Sequence, residues 1–238
     1  SSMRRPMRFG CETSGENDFY ISEYFSNPMR GPVRVFRVAG GAPNPVFTFP
    51  RGEIRHIHLV QKDPFTGKLW IATGDYGEEC RIAWTDDGFK NLNTIGYGDQ
   101  SWRATCLIFT PEAVLWGMDS PWEHASIIRW DRESGKRDFL SVVDSPVLHG
   151  AVNEHGWIAL TTSVEPNFKG EKTSKIWASR DGWTFSPVAA FSKDRWSMHL
   201  FQFGLLYFPT GKAPKNYVVF SGNAVEACEN SMVIGKFE

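Results

Sequence analysis

The chain has no apolar run approaching the roughly 20 residues that cross a bilayer as a helix, so no membrane span is expected. It has only four cysteines, Cys11, Cys80, Cys106 and Cys228, and no Cys-x-x-Cys pair. That excludes a zinc ribbon and a disulfide framework, and reduced, mostly buried thiols are expected. It has almost no net charge: 26 Lys and Arg against 27 Asp and Glu give −1 over 238 residues. Without a long-range field, neither nucleic acid nor an anionic membrane is favoured as a partner. There is no phosphate loop, Gly-x-Ser-x-Gly elbow, zincin helix or dinucleotide fingerprint. Gly40-Gly41 and Gly96-Tyr97-Gly98 read as turn glycines, with no following helix to hold a phosphate. No cofactor is therefore expected. No signal-peptide pattern is visible, and a cytoplasmic monomer is the expectation.

What the chain does have is a globular composition, 41% hydrophobic and 22% charged, and a cadence that recurs about every 45 residues. Three aromatic-rich strands set the period: Leu69 to Thr73, Val114 to Asp119 and Gly156 to Thr161. Each follows a first apolar strand (Ile57 to Val60, Ala104 to Phe109, His149 to Val152) and precedes a third (Cys80 to Trp84, Ser126 to Trp130, Lys175 to Ala178). Looser units flank them, with Asp18 to Glu23 and Val33 to Phe36 before and Gly204 to Phe208 and Tyr217 to Phe220 after. Val, Ile, Thr, Phe and Trp dominate these segments and Gly or Pro interrupts nearly every stretch of helix length, so little helix is expected. Modules of this length predict an all-β chain, a five-bladed β-propeller of four-stranded antiparallel blades. One domain should fill residues 1–238, with blades near 7–53, 54–99, 100–145, 146–194 and 195–238.

Ser179-Arg180-Asp181-Gly182-Trp183-Thr184-Phe185 resembles the Asp-box hairpin, Ser-x-Asp-x-Gly-x-Thr-Trp, of sialidase-like BNR-repeat propellers, and Thr85-Asp86-Asp87-Gly88-Phe89 is a degenerate copy. Each falls at the turn after the third strand of its unit. The resemblance implies a propeller fold for residues 54–194. The first copy is one residue short between Asp181 and Thr184, the second lacks the Thr-Trp end, and no Arg-Ile-Pro segment introduces a sialidase-type arginine. The resemblance is to the repeat superfamily, not to sialidase itself.

In a propeller, the starts of innermost strands and the ends of second strands open on one face, where function usually resides. The first set supplies Arg55, His56, His58, Gln100, Arg103, His149, Asp194, Arg195 and His199. The second supplies Glu23, Asp75, Glu78, Glu79, Asp119 and Glu165. Strand alternation puts His56 and His58 on one side, where one of them reads first as a satisfied buried side chain hydrogen-bonded to a neighbouring blade; the sharper readings are substrate contact or a divalent metal with Asp75, Asp119 or His199 as third ligand, and the metal is not favoured. The acids suit glycoside hydrolysis, with Asp119 and Glu165 as acid and base. The competing reading has the acids pairing with Arg30, Arg55 or Arg103. Arg55, Arg103 and Arg195 suit an anionic group, because the guanidinium fork binds carboxylates bidentately. A uronic or sialic acid would satisfy both sets, and His58 could orient it or abstract a proton in a lyase-like reaction.

Six tryptophans at repeat positions, Trp70, Trp84, Trp116, Trp130, Trp157 and Trp177, read as core between sheets, whereas Trp102, Trp122 and Trp196 suit sugar stacking. The expected function is a carbohydrate-active propeller with a central acidic-sugar site, hydrolase- or lyase-like. Asp119, Glu165 and His58 would be catalytic, and Arg55, His56, Asp75, Arg103, Trp102, Arg195 and His199 would bind substrate. The alternative is a non-catalytic propeller that binds glycan or protein.

Overall fold

The structure, a computed structural model, describes residues 3–166 and 172–237. The chain divides into two compact units, Ser1–Pro111 and Glu112–Glu238. The first unit carries two antiparallel four-stranded sheets. One is built from β1 (Cys11–Gly15), β2 (Asp18–Ser22), β3 (Val33–Ala39) and β4 (Ala42–Phe49), the other from β5 (Ile57–Lys62), β6 (Leu69–Thr73), β7 (Arg81–Thr85) and β8 (Asn93–Tyr97). The short β9 (Ile108–Phe109) lies near its end. In the second unit β10 (Ala113–Gly117), β11 (Ala125–Asp131) and β12 (Arg137–Val143) are neighbours in one sheet. β13 (Val147–Val152), β14 (Ile158–Thr162), β15 (Thr173–Ser179) and β16 (Ser186–Ser192) form a second sheet, and β17 (Leu205–Tyr207), β18 (Tyr217–Asn223) and β19 (Met232–Lys236) a third. Every sheet follows chain order, so each is a meander of hairpins, and the only helices among the described residues are two 3-10 turns. No helix among the described residues is long and apolar enough to cross a membrane.

Alternation along the strands explains the cores. In β3, Val33, Val35 and Val38 are buried while Arg37 and Ala39 are exposed. Val33 and Val35 join Tyr20, Phe49, Ile54, Ile57, Val60, Leu69, Ile71, Ala83 and Phe89 in one cluster between the two sheets of the first unit. The second unit has its own cluster, in which Ile176 and Ala178 of β15 meet Leu206, Phe208, Phe220 and Val225. Such burial removes side chains from water at about 1.5–3 kcal/mol each. The tryptophans divide: Trp70 and Trp116 are fully buried, but Trp84, Trp130, Trp157 and Trp177 are half-buried. Gly96 lies inside β8 rather than in a turn, because its missing side chain makes room for the Trp102 ring, which a Cβ there would overlap at 2.0 Å. All four cysteines are free; Cys80, Cys106 and Cys228 are buried and Cys11 is exposed.

Aspartates anchor the turns β7–β8, β11–β12 and β15–β16. Asp87 Oδ1 accepts the amides of Lys90 and Asn91 and the Thr85 hydroxyl. Asp131 Oδ1 accepts the Ser134 amide and hydroxyl. Asp181 Oδ1 accepts the amides of Trp183 and Thr184 at 2.8 Å and the Ser179 hydroxyl at 2.9 Å. Backbone hydrogen bonds from Thr184 and then Trp183 hold the Asp181 carboxyl at about 2, below its ordinary 3.8. Such a depressed group contributes stability that is fully present above its unfolded pKa and lost as pH falls through the folded one. Asp181→Ala is therefore expected to lower the Tm by a few degrees at neutral pH and to lose part of the acid-dependent fall in stability between about pH 4 and 2. An acid-denaturation series on both proteins with superimposable slopes in that window would refute this.

Candidate functional site

The first unit gathers five of the expected site residues around one carboxylate. Asp75 follows β6, and its side chain is buried. Its Oδ2 accepts from Arg55 Nη1 at 2.9 Å, and its Oδ1 lies 3.1 Å from Arg103 Nη2, 3.3 Å from His56 Nε2 and 3.4 Å from His58 Nε2. Gln100 Nε2 donates to the Asp75 carbonyl at 2.8 Å. Gln100 opens the 3-10 turn Gln100–Trp102, whose Asp99 cap accepts from the Ser101 amide, and the turn delivers Arg103 to the site.

The histidines meet for a different reason than strand alternation. The β5–β6 register steps from Ile57–Thr73 to Leu59–Ala72, so His58 is the extra residue of a β-bulge. His56 lies just before the strand. Bulges re-aim side chains, and here the two Nε2 atoms come within 3.1 Å of each other. Each ring is oriented from behind by a backbone carbonyl at 3.2 Å, Phe25 for His56 Nδ1 and Ala104 for His58 Nδ1. A carbonyl only accepts, so each Nδ1 carries the hydrogen. The Tyr24 ring packs on His56 with centroids 4.2 Å apart.

Electrostatics follow from burial and these contacts. Burial, the largest effect, pushes the His58 imidazole down to about 4, with the Arg103 charge adding to it. Burial raises the Asp75 carboxyl, but contact with His56 and His58 and the charge of Arg103 outweigh it, and the group sits well below the usual carboxylate range. Around this centre, Glu79 accepts from Arg30 Nε at 2.7 Å and from the Arg55 amide at 3.0 Å.

The arginines expected to converge on an anion thus do converge in two of three cases, on the protein's own Asp75. The pairing of Arg30, Arg55 and Arg103 with acids is also present, as Arg30–Glu79, Arg55–Asp75 and Arg103–Asp75. Trp102 is half-buried over Gly96. Glu23 pairs with Arg34, which donates to both carboxylate oxygens, and its Oε1 also accepts the Arg4 amide at 3.2 Å. Asp119, Glu165, Arg195 and His199 belong to the second unit. Asp119 is buried after β10. Glu165 accepts from Ser163 Oγ at 2.9 Å. Arg195 is exposed, its guanidinium 5.0 Å from the Trp196 ring centroid, and His199 is exposed. Glu79 was among the acids expected on this face and Arg30 was expected only as a pairing partner of such acids, whereas Tyr24 was not expected at the site at all. Glu23-Tyr24-Phe25, an aromatic pair beside an acid at a strand end, was the available signal for Tyr24.

No protein-family model matches the chain, and no curated protein is similar in sequence. Solved structures are similar in fold. One comes from a structural and mechanistic study of two prolyl endopeptidases (TM-score 0.54, 12% identity, covering 96% of this chain and 35% of that one). Another is TolB from Acinetobacter baumannii (TM-score 0.51, 13% identity, 91% and 53%). A third is a protein from Lactobacillus plantarum (TM-score 0.51, 11% identity, 93% and 67%). The chain spans about a third of the first and half of the second. At these identities the likeness shows the fold alone: the chain is a β-propeller protein.

Proposed function

We propose that this is a carbohydrate-active, five-bladed propeller, acting as a monomer, whose first unit binds the carboxylate of an acidic sugar, with glycoside hydrolase- or lyase-like chemistry. The observation that carries this reading is that Arg55 and Arg103 already aim at one carboxylate inside a buried cluster of ionisable groups. Perturbed, clustered titratable groups of this kind concentrate at functional sites. Arg55 Nε and Gln100 Oε1 are buried without a hydrogen-bond partner, which leaves a donor and an acceptor to offer a ligand. Arg55 and Arg103 are assigned to the sugar carboxylate and His58 to orienting the ring. The Asp-anchored turns after β7 and β15 support kinship with the sialidase-like repeat propellers, and five successive meanders support the blade count, the last with three strands.

A titration of uronic, sialic and neutral sugars, followed by thermal shift and calorimetry, tests the reading, since a ligand specific for the folded state raises its stability. An acidic sugar is expected to bind. Arg103→Ala is expected to weaken it about 10- to 100-fold, the loss of one charge-assisted hydrogen bond of about 1.5–3 kcal/mol. A flat response across all sugars would favour the alternative, a protein-interaction propeller. That second reading draws on the exposed Trp196, Leu200 and Phe201, an apolar group in the second unit.

A further inference from the structure

We infer that His56, His58 and Asp75 form a binding site for a divalent transition metal of the zinc type. These three side chains each offer one ligand atom, all are buried, and all lie in the first unit. The atoms form a nearly equilateral triangle with sides of 3.1, 3.3 and 3.4 Å. Two ligands at 2.0–2.1 Å from a tetrahedral zinc ion are about 3.3–3.4 Å apart, so this triangle matches one face of such a site.

Hydrogen counting leads to the same place. Two neutral imidazoles bring two N–H hydrogens, and both face carbonyls, those of Phe25 and Ala104. Two Nε2 lone pairs are then left facing each other 3.1 Å apart, beside an Asp75 oxygen that already pairs with Arg103, and those lone pairs repel unless a proton or a metal ion sits between them. A proton joins two such atoms. A metal ion joins all three at the observed spacing.

The surroundings are those of an oriented ligand set. Metal-binding histidines usually donate the other ring N–H to a carbonyl or carboxylate, and ligating carboxylates are themselves hydrogen-bonded. Here both histidines face carbonyls, and Asp75 is gripped by Arg55 on Oδ2 and Arg103 on Oδ1. The ligand set also restricts the choice of metal. Only one of the three ligand atoms is a carboxylate oxygen, which disfavours Mg²⁺ and Ca²⁺, whose binding depends on oxygen ligands. Imidazole lone pairs suit zinc and its neighbours. The fourth tetrahedral position remains for water or a ligand oxygen.

The test uses the full chain, stripped with a chelator and titrated calorimetrically with Zn²⁺ and separately with Mg²⁺; it does not depend on any sugar binding. One Zn²⁺ per chain and no Mg²⁺ heat is expected. His56→Ala and His58→Ala should each weaken Zn²⁺ by at least about 100-fold, the upper end of what losing a mere supporting partner costs. If either variant fails to fold, Co²⁺ added to the unmutated chain decides. Intense tetrahedral visible absorption, abolished by Zn²⁺, supports the site; a weak six-coordinate spectrum or no uptake overturns it. Stoichiometric Zn²⁺ binding that survives unchanged in folded His56→Ala and His58→Ala also overturns it.

Discussion

Asp75→Ala is expected to lower the unfolding free energy by about 3–5 kcal/mol, the cost of removing one partner from a buried ion pair. The size follows from what the carboxylate touches. It neutralises Arg55 and Arg103 together, and the Arg103 side chain is only 12% exposed, so water cannot take the place of Asp75 there. Asp75→Asn keeps the shape and one acceptor oxygen and should cost less. Replacing the stranded cation as well, in Asp75→Ala with Arg103→Met, is expected to recover part of the loss, because the penalty is mostly that of an unpaired buried charge. Urea unfolding of the four proteins measures this. A cost below about 1 kcal/mol for Asp75→Ala, the range of solvent-exposed pairs, would show that the cluster is screened by water and is not the buried centre of the first unit.

The strands were legible where backbone pairing and side-chain pattern agree. Leu69 to Thr73, read from its apolar and β-branched run, is β6 with every residue buried. The first strand of the third repeat, read as Ala104 to Phe109, is a ladder only at Ile108–Phe109. Its earlier backbone groups are taken by side chains: the Ala104 carbonyl faces His58, and the Leu107 amide and carbonyl bond the Gln61 amide. No propensity reports that competition. Within the site, Arg55, His56, His58, Asp75 and Arg103 could be nominated because they sit at strand starts and ends. That His58 is a bulge residue could not be seen, because a one-residue register shift leaves no mark in composition. Nor could Arg30 be matched with Glu79 across 49 positions of sequence by any local spacing. The turn aspartates were the most readable polar residues, since their partners lie within four positions and need no tertiary context.

Asp75 depends in turn on the residue before it, and Gly74→Ala is the second substitution expected to have a large effect. Gly74 has a φ of +121°, and a Cβ there would lie 2.6 Å from the backbone N and Cα of Cys80 and 2.7 Å from the carbonyl oxygen of Glu79. Those are backbone atoms, and they are not free to retreat: the Cys80 amide donates to the Gly77 carbonyl, and the Glu79 carbonyl accepts from Thr73 Oγ1 at 2.7 Å. The close approach is what allows the chain to leave β6, fold through the Gly77–Glu79 turn and bring Asp75 and Glu79 onto the same arginine, Arg55. The backbone conformation costs a side chain about 1–3 kcal/mol, and the overlap adds to it, so a total of about 3 kcal/mol or more is expected on the scale of severe substitutions. Gly77→Ala is the matched control. It has a φ of +46° but nothing within 4 Å of the added Cβ, so only the left-handed penalty of about 1–2 kcal/mol applies. Chemical denaturation should separate the two by at least about 1 kcal/mol, and Gly74→Ala alone should also weaken Zn²⁺ binding by displacing Asp75. Equal losses in the two variants would mean that the strand-to-turn contact between Gly74 and Cys80 relaxes freely and does not position the carboxylate.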